Sequence, residues 1–151
     1  MLAWFFVVFA AYLLVFYGFE YWRHRRGGWE VDFVTDSRGR PSIVIYQPRL
    51  NVSSVEILFG DERTLSTNLS KRITFDRPLN KVLFGRVLYE DLTVLPGVVT
   101  FDFFGHEVEL LPRTLIINKK EIPWKSEAVI ELWTTNKPAQ PPKPAHAEET
   151  R

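Results

Sequence analysis

The chain has 151 residues, 19 Lys and Arg against 18 Asp and Glu, and no cysteine. A net charge of +1 leaves no basic field large enough to neutralise a nucleic-acid backbone, so nucleic acid is not an expected partner. The absence of cysteine excludes disulfides, thiolate metal sites and thiol nucleophiles, and the length allows one small domain beside an anchor and a tail.

Residues 2–19 read LAWFFVVFAAYLLVFYGF, with no charge and no proline. At about 1.5 Å per residue such a run makes a helix of roughly 27 Å, near the ~30 Å hydrocarbon core of a bilayer. A helix also satisfies every backbone polar group within its own segment, which lipid demands. Residues 1–22 are therefore expected to be a single transmembrane helix. A cleaved signal peptide would need a positive start and small residues before the cut, whereas Glu20, Tyr21, Trp22 and Arg23 stand here.

Arg23, His24, Arg25 and Arg26 come directly after the apolar run, in a basic linker over 23–28 that ends in Gly27 and Gly28. Positive flanks stay on the cytoplasmic side, which predicts an outside N-terminus and a cytoplasmic C-terminal domain. Trp4 at one end, and Tyr21, Trp22, Arg23, Arg25 and Arg26 at the other, are the expected contacts with membrane lipids at the interface. Within the span, Phe5, Phe9, Tyr12, Phe16 and Phe19 alternate four and three apart and form an aromatic ridge. Ala3, Ala10, Ala11 and Gly18 project to the other side, where small residues let a second helix backbone approach. The span holds no His, Asp, Glu or Lys and so offers no proton relay or axial cofactor ligand.

From Trp29 the pattern becomes alternating. Trp29, Val31 and Phe33 interleave with Glu30 and Asp32, as on a strand with one wet face. Residues 42–46 are apolar on both faces, which suggests a central strand. Further strands are expected over 55–59, 64–75, 82–89, 92–95, 98–104, 107–111, 114–117, 121–124 and 129–133, with Gly85 marking a bulge or corner. Gly105-His106 is expected as the two-residue turn of a hairpin and Asn118-Lys119-Lys120 as a polar turn. About eight or nine strands at spacings of roughly 8–12 residues are expected, the mark of a sandwich or small barrel. The fold class is an all-β extramembrane domain over 29–135, a β-sandwich, Ig-like or related, behind one N-terminal transmembrane helix. The Pro- and Ala-rich tail, 136–151, cannot bury enough surface to order itself.

Asp102, His106, Glu107 and Glu109 gather around one hairpin, a combination that suits metal or acid–base chemistry elsewhere. On the tip of a two-residue turn His106 is expected in solvent and the glutamates on a wet face, so no catalytic, metal or cofactor site is expected. No Gly-x-Ser-x-Gly, Walker or Gly-x-Gly-x-x-Gly motif occurs. Asn51-Val52-Ser53 and Asn68-Leu69-Ser70 match glycosylation sequons, which a cytoplasmic domain would leave unmodified. The layout points to a non-catalytic accessory or scaffold subunit, partnered by other integral-membrane subunits; a respiratory or photosynthetic assembly is one setting for such a layout. The alternative is a stand-alone membrane-anchored sensor or adaptor whose sandwich binds a soluble ligand or protein.

Overall fold

The computed structural model describes residues 2–137 and, within the helix, the surroundings of side chains 4–21. The expected tail therefore lies outside the described residues from 138 onward. Helix α1 (Leu2–Arg26) runs through the basic cluster, so residues 23–26 are helical and only Gly27 and Gly28 separate α1 from the first strand. Arg and His are ordinary helix residues, and the two glycines are what stops the helix.

Among the described residues eleven strands come after it, in two mostly antiparallel sheets. β1 (Trp29–Thr35), β2 (Pro41–Gln47), β3 (Val52–Phe59) and β4 (Ser70–Phe75) lie in the order β4-β1-β2-β3, a Greek key. β5 (Lys81–Val82), β6 (Gly85–Asp91), β7 (Val98–Phe103), β8 (His106–Leu110), β9 (Thr114–Ile117) and β10 (Lys120–Pro123) form a meander in which each strand pairs with the next. β11 (Val129–Leu132) returns to the first sheet and pairs parallel with β3, Val129 opposite Glu56.

Alternation decides what each strand buries. In β1, Trp29, Val31, Phe33 and Thr35 point inward while Glu30 and Asp32 face out, as the wet-face pattern predicts. Arg72 of β4 forks onto Asp32 on that outer face, at 2.6 and 2.8 Å, and covers the Tyr46 ring. β2 is the middle strand of its sheet, in keeping with its apolar run. The two inner faces meet through aromatic rings: Phe33 and Phe59 of one sheet lie 6.0 and 5.9 Å from Phe103 of the other, and Phe75 lies 5.1 Å from Phe101.

Several local expectations change. Only residues 70–75 of the 64–75 stretch form a strand, because Thr64 and Leu69 bond to Gly39 and Thr35 instead. The 82–89 stretch divides at Leu83-Phe84 into β5 and β6. Gly85 is a close approach rather than a bulge: a Cβ there would sit 2.0 Å from the Asp102 carbonyl oxygen. The bulge falls at Leu88, between Val87 and Tyr89. Residues 92–95 form no strand, and Asp91 caps the turn by accepting from Thr93 N–H.

Candidate functional site

Most of the exposed large hydrophobic residues among those described lie on α1. The window Trp4–Tyr21 is long and apolar enough to cross a membrane, and none of it is buried against the rest of the chain. Phe5 stacks on Phe9 at 6.4 Å and Tyr12 on Phe16 at 6.2 Å along one side of the helix. Phe19 continues the same stripe, exposed. On the other side Ala10 and Ala11 are exposed, and a Cβ on Gly18 would meet nothing within 4 Å. Trp4 and Tyr21 are exposed at the two ends of the span. The side-chain surroundings of Ala3, Trp22, Arg23, Arg25 and Arg26 lie outside the described residues.

The end of the domain nearest α1 is built by strand termini and loops that converge on Trp29. Gly28 is buried, its carbonyl accepts from Gln47 Nε2 at 2.8 Å, and a Cβ on it would lie 1.9 Å from the Phe75 carbonyl oxygen. Trp29 Nε1 donates to the Gly97 carbonyl at 3.1 Å, and its ring lies 5.2 Å from Trp124, which donates to the Leu111 carbonyl at 2.8 Å. These bonds bring the loops after β2, β6 and β8 to one place. Between them runs an open groove of about 350 Å³, lined by Arg49, Leu50, Val94, Leu95, Pro96 and Pro112. The sequence gives little hint of it, since its apolar residues are scattered over three loops.

The opposite end holds the hairpin with the candidate acid–base residues, and here the expectation is corrected. The β7–β8 turn is Phe104-Gly105, both with positive φ, 53° and 83°, as in a type I′ turn. Phe104 takes this conformation while packing on Phe59 at 5.2 Å and Phe84 at 6.0 Å. The one-residue shift makes His106 the first residue of β8, on the same face as Val108 and Leu110, and its side chain is buried at 1% exposure. The alternation of Val108 and Leu110 already carried that parity.

His106 Nδ1 accepts from Asn118 Nδ2 at 3.0 Å, which places the proton on Nε2. Asn118 also accepts from Glu107 N–H and donates to the Asn136 carbonyl. Burial, and then the Lys137 ammonium, push the imidazole below its ordinary value, against the pull of Glu62 and Asp102. Asp102 and Glu107 pair across the outer face instead, with Arg86 3.3 Å from Asp102. Glu109 is on that face too, its carboxyl raised by burial and by neighbouring Glu107. The four residues thus divide between two faces of one sheet. Among the described residues, no group of three or more His, Asp or Glu is placed to hold a metal ion. No family model, curated protein or solved structure matches the chain.

Proposed function

We propose that the protein is a single-pass membrane protein and a non-catalytic accessory or scaffold subunit of a larger integral-membrane complex. The observation that carries this reading is the bare helix: residues 4–19 of α1 carry no charge and none of Trp4–Tyr21 is covered by its own domain. That surface needs lipid or other helices around it, and the ridge of Phe5, Phe9, Tyr12 and Phe16 opposite Ala10, Ala11 and Gly18 gives it two chemically distinct sides. The small side takes a partner helix and the ridge faces lipid. Arg23, Arg25 and Arg26 support a cytoplasmic two-sheet domain with the N-terminus outside. The domain is a β-sandwich, related to the Ig type through the Greek key of its first sheet, and it caps the complex at the membrane surface.

Extraction of native membranes in a mild detergent, followed by sizing and mass spectrometry, tests the assembly. Comigration with a defined set of integral-membrane subunits is expected; migration alone would overturn the subunit role. Orientation is read separately with Leu65→Cys, an exposed position in a chain without cysteine. A membrane-impermeant maleimide is expected to label it only after lysis.

A further inference from the structure

We propose that the α1-proximal end of the β domain is itself a lipid-binding surface, seated in the headgroup layer of an anionic bilayer by the groove between Arg49, Leu50, Val94, Pro96 and Pro112. This rests on α1 crossing the membrane, and it adds a second, independent membrane contact made by the domain.

The tether sets the distance. If the span ends near Tyr21, residues 22–26 rise about 7.5 Å as a helix, and two more residues reach at most about 7 Å further. The headgroup layer on each side of a bilayer is roughly 5–8 Å thick. Gly28 has no slack to add, because its carbonyl is held by Gln47 and its α-carbon is pressed against the Phe75 backbone. The loops bonded to Gly28 and Trp29 are therefore held within about 15 Å of the hydrocarbon edge, close to the headgroup layer.

The chemistry of those loops suits that level. Val94 is 54% exposed on the groove, Pro96 and Leu50 are half-exposed beside it, and Pro48 and Pro112 are exposed. Arg49 is the one charged residue lining the groove. On the neighbouring loops Arg77, Arg113 and Lys125 stand beside Asp76, Asp91 and Glu127; Asp76 lies 3.6 Å from Arg77, and Asp91 accepts from Thr93 N–H. An apolar tip with Arg49 on its groove matches the boundary between acyl chains and lipid phosphates, where aliphatic groups insert and guanidinium forks onto phosphate.

The test uses the full chain reconstituted alone in vesicles of phosphatidylcholine with phosphatidylglycerol. Single cysteines carrying an environment-sensitive fluorophore are placed at Val94 on the groove, at Leu65 in the loop leading to β4, and at Val15 in the helix; all three positions are exposed, so the fold tolerates them. The expected result is a blue-shifted, lipid-quenched label at Val94→Cys, deeply quenched emission at Val15→Cys and a water-like label at Leu65→Cys. Adding Arg49→Glu and Arg113→Glu is expected to return the Val94→Cys emission toward that of Leu65→Cys. A quenched Val15→Cys with a water-like Val94→Cys overturns this inference and leaves the membrane anchor standing. A water-like Val15→Cys overturns both.

Discussion

His106 is a neutral base buried against Phe59, and this links stability to pH. The folded chain binds the imidazole proton less readily than the unfolded chain, whose histidine titrates near 6.5. Its contribution is complete above that pH and is lost as pH falls below it toward the lower folded value. Thermal melts are expected to show a melting temperature that drops across this window, and His106→Phe should flatten the drop. Carboxylates lowered by backbone and side-chain hydrogen bonds, such as Asp36 and Asp61, act at more acidic pH, while Glu109, raised by burial and by Glu107, acts with the opposite slope above its ordinary value. The adjacent glycines of the tether separate two other effects. Gly28→Ala must displace the Phe75 backbone and is expected to destabilise by about 2–3 kcal/mol in denaturant titrations. Gly27→Ala meets open space and bears only its positive φ of 64°, about 1 kcal/mol.

At the level of elements, the pattern of each strand is local while its partner is not. β1 was legible from Trp29, Val31 and Phe33 alternating with Glu30 and Asp32, and the central place of β2 from its apolar run. The β7–β8 hairpin was legible as a hairpin, but its turn fell one residue earlier because Phe104 gains more by packing on Phe59 and Phe84 than a glycine would there. β11 carries nothing in its four residues that names β3 as a parallel neighbour. Ser126 ties the two together, accepting from Ser53 N–H at 3.1 Å and donating to the Asn51 carbonyl at 2.7 Å. Ser126→Ala is expected to weaken this join by about 1 kcal/mol. Amide exchange at Glu56 and Gly60, which donate to Ala128 and Leu132 carbonyls, should quicken while β7 and β8 stay protected. In α1, Gly18→Leu is expected to disrupt helix association in detergent, and Phe9→Ala on the ridge to leave it intact.

For the whole molecule, one aromatic core joins the two sheets, and Phe103 is central to it, with Phe33, Phe59 and Phe101 all within 6.0 Å. Phe103→Ala is expected to remove about 3–5 kcal/mol, a large share of the ~5–15 kcal/mol of a typical domain. Circular dichroism melts would show the β signal lost at lower temperature with α1 helicity retained. The sequence by itself determined the apolar helix, the all-β character of the domain behind it, and the inward and outward residues of most strands. Each of these depends on residues a few positions apart: a charge-free run long enough to span lipid, or an alternation with period two. Tertiary structure alone decided the Greek key and the return of β11 to the first sheet. It alone assembled the groove beside α1. Those features arise where segments far apart in the chain, such as Arg49, Val94 and Pro112, are brought together by the core and by the hydrogen bonds of Trp29, Gln47 and Trp124. No periodicity along the chain records which distant segments will meet, because that is settled by packing across the two sheets.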